Sequence, residues 1–568
     1  MHLSWIDYGV SSIVLSELKD QIFILATARI YLILIVLSGG IGIHYACKRS
    51  KPTSTKEYLI ADGQMKILPT AMSLLASFTS AISLLGTPVE IYYYGTMYVY
   101  SIFAWLIATL VTVKFFIPKF HYVGSVSIYA YFEKRFSLAV RILITCDYIL
   151  VTILYISVAL YGPCLAVSQV TGINIWMALV TCGVICTIYT SIVCLIDIGG
   201  LSKAFDILRD GNRIQFAVIN FNPSIRYTIW SILIGHTFAT IAQYACIQTQ
   251  AQRYMCVKDT KAAQKVMWNA YIMNVIMYMF CIFIGCLLYA KYSQCDPLRA
   301  KLISRSDQMY PLFIIETLSR FPGLPGLWIA SILSATLSTF SSGVNSLTTV
   351  IIEDIYKRLA KKRSTSADRE LIISKVLSTA IGFLIILVTF VVSYTKNNII
   401  TIVIRINGTF SSPILGAYLL GFFSSRVKSR SILAAICLCF IFQTFILVGS
   451  MITVPPTDQH GGRLPTSVNK CVPSVNDTMP LTRNQRLSLL ESLFSISPLW
   501  FNFNGTIMMI ISGLIFTFIF DSNDTKEIDR SLLVSRKKIV SCQQTMERSD
   551  THHNGEILLT DVVIEEEN

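Results

Sequence analysis

Uninterrupted apolar runs recur along this chain, each about 20 residues or more long and separated by short polar gaps. A run of that length, wound as a helix, crosses the roughly 30 Å of a bilayer's hydrocarbon core. About twelve such stretches fall near residues 24–47, 68–95, 97–120, 139–165, 174–196, 226–250, 264–290, 325–356, 371–395, 398–424, 430–454 and 505–520. The apolar positions do not alternate with polar ones, so the runs read as spanning helices rather than strands. A long polar loop follows at about 455–500. Residues 521–568 are polar, end in Glu565-Glu566-Glu567-Asn568 and read as a disordered cytoplasmic tail.

Composition agrees. Of 568 residues, 53% are hydrophobic and 14% charged, against roughly 25% charged in an average soluble domain. That excludes an ordinary soluble enzyme, a disordered chain and a secreted disulfide scaffold. The net charge of +14 could suggest nucleic acid, but the cations sit in the gaps between runs, as the positive-inside rule expects. The gaps are Lys48/Arg49/Lys51/Lys56, Lys134/Arg135/Arg141, Arg253/Lys258/Lys261/Lys265, Lys357/Arg358/Lys361/Lys362/Arg363 and Arg426/Lys428/Arg430. With these gaps cytoplasmic, the 455–500 loop lies outside and Asn476, in Asn476-Asp477-Thr478, becomes a glycosylation acceptor. Most of the 15 cysteines lie in apolar runs and behave as small packers. The chain has no CxxC, HExxH or Walker loop, so neither zinc chemistry nor ATP-driven transport has sequence support. The first residues lack the pattern of a cleaved signal peptide.

The charge map carries one fault. Cytoplasmic gaps must be separated by an even number of crossings, yet three runs separate the gap at 119–141 from the gap at 253–265. One crossing is missing between about residues 190 and 225. The candidate place, residues 191–200, is too short to span.

Two runs carry residues foreign to a lipid-facing helix. Residues 69–88 are dense in Ser and Thr, are closed by Gly86 and Pro88 and are expected to be interrupted; broken backbone at membrane depth lines a cavity or is buried in protein. Residues 334–345 hold five hydroxyls within seven positions, Thr336 to Ser342, and are likewise expected to be interrupted. Hydroxyls and freed carbonyls form an oxygen site for a small hard cation; close helix packing enriches the same residue types. Gln248, Gln250 and Gln252 fit a solvated helix end equally well.

The chain resembles the sodium:solute symporter family, in its monocarboxylate, multivitamin and iodide branch. The resemblance rests on Thr55-Lys56-Glu57-Tyr58-Leu59, the segment from Ala71 through Thr87-Pro88-Val89-Glu90-Ile91-Tyr92, Gln250-Ala251-Gln252-Arg253-Tyr254, Cys295-Asp296-Pro297, Pro322-Gly323-Leu324-Pro325-Gly326-Leu327 and the stretch from Leu337 through Asn345 to Glu353-Asp354. It implies an all-α polytopic membrane protein with an inverted-repeat core of five plus five helices and flanking spans. Residues 1–47 would hold the first span, 48–424 the core, 425–520 the flanking spans and 521–568 the tail. It also implies Na+ as coupling ion, bound by the carbonyls of Ala76, Thr79 and Ala335 and the hydroxyls of Ser338 and Thr339. A small anionic substrate would meet Phe78, Ser80 and Ser83. The resemblance places the protein in the plasma membrane, and no enzymatic activity is implied.

The chain departs from the family after the fourth core helix, where the fifth is missing at the point where the charge map fails. Extra sequence stands near residues 17–35, and Ile247 stands where the family has Asn. Arg405, about 12 Å inside a run by helix rise, is read either as an anion partner or as a structurally paired or snorkelling residue. Asp147 reads as an interior hydrogen-bonding or helix-end residue. Cys295 and Cys471 both map outside, where a disulfide is permitted.

Overall fold

The computed structural model describes residues 63–78, 80–167, 194–318, 324–359, 367–393, 399–452, 463–471, 489–520 and 529–534. Among them regular structure is helical throughout, with no strand. The principal helices are α1 (Ile67–Phe78), α2 (Ala81–Tyr94), α3 (Thr96–Val123), α4 (Leu138–Val167), α5 (Thr237–Ala245), α6 (Gln248–Tyr254), α7 (Thr260–Tyr292), α8 (Leu324–Val350), α9 (Ala367–Ser393), α10 (Ile399–Phe423), α11 (Ser429–Ile452) and α12 (Trp500–Phe520). Seven helices among the described residues are long and apolar enough to cross a membrane, and the bent pair α1–α2 makes an eighth. The first expected run, 24–47, lies outside the described residues.

Burial separates central helices from peripheral ones. In α10, 83% of the apolar window is buried, against 17% in α9. So α10 runs through the middle of the bundle, and α9 turns its Phe383, Leu387 and Val391 outward, as a lipid-facing helix does. Around α10 pack α4, α11 and α12, while α7 packs against α1 and α2. The α2–α7 approach is close because Gly285 has no side chain: a Cβ there would stand 2.8 Å from the Pro88 carbonyl oxygen.

Of the two expected interruptions, one is present and one is not. The first break falls between Phe78 and Ala81, inside the expected stretch 69–88, and α1 and α2 meet at 59°. Gly86 and Pro88 sit inside α2, where Gly86 packs against Ile400. Residues 334–345 are unbroken within α8, because Thr336 and Thr339 turn their hydroxyls back onto the carbonyls of Ile332 and Ala335, 3.0 Å away in each case. The second break is at Cys246-Ile247, between α5 and α6. Beside it Gln248, Gln250 and Gln252 are buried rather than solvated. The Gln248 amide donates to the Val126 carbonyl and accepts from the Ile128 N–H, which replaces the backbone partners that the turn beside it leaves unmade.

One end of the bundle gathers basic residues. There Arg141 pairs with Asp354 and Glu133, and Asp354 also accepts from Ser127 (2.7 Å) and Thr145 (2.9 Å). Lys357, Arg253 and Arg135 lie at the same end, and Arg135 donates to the Ser424 and Val427 carbonyls. The tail is not wholly disordered: Val534 N–H donates to Phe422 O at 2.9 Å, Lys119 donates to Leu533 O at 2.8 Å, and Leu532 is buried. Residues 529–534 dock because Leu532 has an apolar site to fill and Asp529 caps the short turn after it.

The opposite end carries the Cys295–Cys471 disulfide. A strap, residues 463–471, lies across it: Leu464 N–H donates to Tyr93 O, Asp296 N–H to Ser467 O, Lys470 N–H to Gln294 O, and Arg213 to Pro465 O. Gly95 makes the close approach beneath the strap, with φ of 76° and Arg213 O 2.6 Å from where a Cβ would stand.

Residues 194–228 stay at this disulfide end. Cys194 packs into a cluster with Tyr92 and Tyr292, helix Leu201–Asp210 lies against α7, Thr96 N–H donates to Arg213 O, and Ser497 N–H donates to Pro223 O. Residues 194–198 are helical. The basic gaps among the described residues collect at the other end. On the near side, α4 rises from Arg141 to Tyr161, whose ring faces Arg305 at the disulfide end. The described chain thus stops at Val167 and resumes at Cys194 on the same end, and residues 168–193 lie outside the described residues.

Candidate functional site

The two helix breaks face a cavity of about 160 Å³ bounded by α2, α3, α5, α7 and α10. The α1–α2 break frees Ser80, whose carbonyl accepts from the Ser83 and Leu84 N–H groups and starts α2. Both Ser80 and Ser83, expected at the substrate position, line this cavity. A second cavity of about 40 Å³ adjoins it and is lined by Ser77, Thr152, Thr339 and Ser342. Four residues border both spaces: Tyr155, Gln243, Ile247 and Asn407. The expected substrate serines and the expected cation ligand Thr339 thus lie in adjoining chambers with a shared wall. Among the described residues, no Asp, Glu, Lys or Arg lines either chamber.

On the cation side, α1 packs against α8. Ala76 and Ala335 are buried, Thr339 is 5% exposed and Ser338 is half-buried. The Thr339 hydroxyl donates to Ala335 O, so the hydroxyl's lone pairs remain free to accept a cation. Thr79, the side chain of Phe78, and Asn476 lie outside the described residues.

Arg405 is not at the chamber. It is buried on α10 and donates to the Ser450 carbonyl of α11 at 3.2 Å. Its anion-partner reading gives way to the structural one, because that face of α10 meets α11 while Val403, Ile404 and Asn407 border the cavity. Asp147 is buried, but both carboxylate oxygens lack a hydrogen-bond partner among the described residues, so the interior hydrogen bond expected of it is not made.

Sequence reasoning missed much of the lining. Asn407, Tyr98, Trp105 and Tyr278 line the cavity, and no motif in the sequence marks them. His236 drew no attention, although an imidazole inside an apolar run is the kind of polar residue that marks a site in a membrane protein. It ends the π-helical turn Ser231–His236 that opens α5, and such turns recur at functional sites.

Comparison with known proteins settles the family. The profile described as the sodium:solute symporter family matches residues 58–202 and 190–438. This chain belongs to that family. It is 31% identical over 532 residues to the sodium-coupled monocarboxylate transporter 2 of Mus musculus, covering 88% of this chain and 84% of that one. It is 30% identical to the Homo sapiens sodium/iodide cotransporter (85% and 82% covered) and 30% identical to the sodium-dependent multivitamin transporter of Oryctolagus cuniculus (89% and 84%). Its fold is similar to that of a Na+-coupled sialic acid symporter solved in a substrate-bound outward-open state, with TM-score 0.61 and 20% identity, covering 88% and 98%. The symporter family consists of membrane transporters rather than enzymes, and Na+ is its coupling ion.

Proposed function

We propose that this chain carries a small monocarboxylate anion together with Na+ across the plasma membrane, with its basic end cytoplasmic. The observation that carries the reading is the chamber at the α1–α2 break, lined by neutral hydroxyl, amide and aromatic groups and free of carboxylates. Such a lining suits one anionic head with a small body; a carboxylate in the wall would favour organic cations instead. The relatives that carry monocarboxylates match this chain over most of its length. Na+ enters as co-substrate, held by the carbonyls of Ala76, Thr79 and Ala335 and the hydroxyls of Ser338 and Thr339. The α1–α8 contact and the buried Thr339 support that assignment. The family's inverted repeat of five plus five helices would place this site at mid-membrane.

Uptake of labelled lactate, nicotinate, biotin and iodide, with and without Na+, tests the reading. Na+-dependent uptake of lactate or nicotinate is expected; uptake of iodide or biotin alone would replace it. Ser338→Ala with Thr339→Ala should lower apparent Na+ affinity by about tenfold, the loss of two uncharged ligands, without changing surface expression. Unchanged Na+ dependence would remove both from the site. Asn476, if outside, is glycosylated, and a mobility shift on glycosidase treatment checks the orientation.

A second reading has its own observation. The described chain stops at Val167 and resumes at Cys194 on the same end, and the sequence between them has the length for one crossing where a return trip would need two. The family match also comes in two stretches that meet at 190–202. The chain would then be a transport-incompetent form lacking the fifth core helix. Transcripts of its gene should include a form longer by about 25–35 residues near Ile192, one span of about 20 residues plus a turn. Robust Na+-dependent uptake by the 568-residue chain, with no longer transcript found, excludes this.

A further inference from the structure

We propose that His236 is the specificity-determining residue of the chamber, and that its Nδ1–H donates to the carboxylate of the substrate. The proposal rests on the monocarboxylate reading and names the residue that recognises the anion.

The argument begins with Trp105, whose indole nitrogen lies 3.2 Å from His236 Nε2. An indole N–H can only donate. His236 Nε2 must therefore accept, which makes the ring neutral and puts its single proton on Nδ1. That nitrogen has no hydrogen-bond partner among the described residues, nor is it among the polar atoms sealed from all access. His236 lines the chamber together with Trp105. The arrangement is a donor of fixed tautomer with no protein acceptor, in a space with no formal charge.

The surrounding residues fix that geometry. Tyr98 stands 5.9 Å from the imidazole, centroid to centroid, and Tyr278 stands 4.6 Å from the Trp105 ring, edge to face. Tyr278 donates its hydroxyl to Tyr98 O at 2.8 Å, locking α7 to α3 behind the indole. Below, Thr228 and Ser231 exchange backbone-to-hydroxyl hydrogen bonds of 2.9 and 3.1 Å and anchor the start of the π-helical turn. Gly235 lets that turn lie against the Leu499 carbonyl, 2.6 Å from where a Cβ would stand. These contacts hold the imidazole before substrate arrives, so little ordering is left to oppose binding.

A neutral donor in a low-dielectric chamber discriminates through hydrogen bonding to charge. An N–H to a carboxylate is stronger than the same N–H to an amide or ester oxygen. Among the described residues, the Glu90–Arg226 pair stands behind Tyr98 and Tyr227, its charges matched by a 2.8 Å contact. The aromatic groups facing His236 are Tyr98 and Trp105 from α3, and Tyr278 from α7 packs behind both. The Trp105 N–H occupies Nε2, so Trp105 acts as the positioning residue that fixes the His236 tautomer.

Equilibrium binding of labelled lactate to the purified full chain in nanodiscs with Na+, competed by unlabelled lactate or lactamide, tests this. His236→Gln, which offers a polar group near Nε2 but none near Nδ1, should weaken lactate binding by about tenfold or more and leave lactamide unchanged. His236→Asn, whose amide nitrogen can stand where Nδ1 does, should stay within about threefold of the parent. Equal lactate affinity in His236→Gln and the parent overturns the proposal while leaving the monocarboxylate reading intact. A parent chain that binds no monocarboxylate overturns both. Where His236→Gln does not fold, Trp105→Phe decides. Without the indole donor the proton is free to sit on Nε2, so lactate binding weaker by about threefold or more supports the proposal, and parent-like affinity overturns it.

Discussion

The two ends of this bundle are closed by different chemistry. At the basic end, the Arg141 side chain reaches from α4 to Asp354 beyond α8, and Asp354 is further held by Ser127 and Thr145. At the disulfide end, a covalent bond and backbone hydrogen bonds tie the strap 463–471 to the ends of α2 and α7. Side-chain ion pairs can part and re-form when water enters, because the charges are then solvated. A backbone strap anchored by a disulfide moves as one piece with what it is bonded to. In a transporter that opens to each side in turn, the contrast assigns the separable contact to the basic end and the rigid cap to the other.

The largest expected effect comes from breaking the ionic lock. Arg141→Met leaves Asp354 buried and uncompensated, at a cost of about 3–5 kcal/mol. Its measure is a lower melting temperature of the purified chain and less protein at the surface. The double variant Arg141→Met/Asp354→Leu should recover much of that stability yet alter transport, because the closure is then apolar. If the double variant transports as the parent does, the lock has no part in opening.

Removing the covalent link comes next. Cys471→Ser, or reductant, should lower stability by about 2–4 kcal/mol, read as a shift in melting temperature. No shift would mean that the strap's backbone hydrogen bonds hold that end by themselves. Leu532→Asp should cost about 1–3 kcal/mol by giving up a buried side chain, and residues 529–534 should become cleavable by protease. Unchanged protection would show that Lys119 and Phe422 hold the segment without Leu532.

The smallest effect is a pH dependence confined to the disulfide end. Asp307 is buried between spans and accepts from the Ile399 N–H at the start of α10. Burial, with Glu90 adding to it, raises its carboxyl from 3.8 to about 6, against the opposing pull of the Ile399 hydrogen bond and Arg305. The folded state therefore binds this proton more tightly than the unfolded chain. Stability should rise as pH falls from above 6 towards 4, and Asp307→Asn should remove that rise. A melting curve with the same pH slope in both proteins would assign the dependence to another group.

The sequence alone determined the class of the molecule and its orientation pattern. Runs of apolar residues long enough to span and cations confined to alternate gaps are properties of single segments, so they need no folded structure to be read. The family resemblance was legible for the same reason, being carried by short contiguous stretches. It named Ser80 and Ser83, which line the cavity, and it directed attention to 334–345, although that stretch is an unbroken helix. The tertiary structure decided which faces meet. His236 and Trp105 are 131 positions apart, and Cys295 and Cys471 are 176 apart; no periodicity within a run joins such pairs. Arg405 and Asn407 differ by two positions, yet one faces α11 and the other the chamber. In a lipid-embedded helix both faces are apolar to the eye, so hydropathy gives depth in the membrane but not direction around the helix axis. Direction follows from packing against neighbours, and those neighbours come from distant parts of the chain.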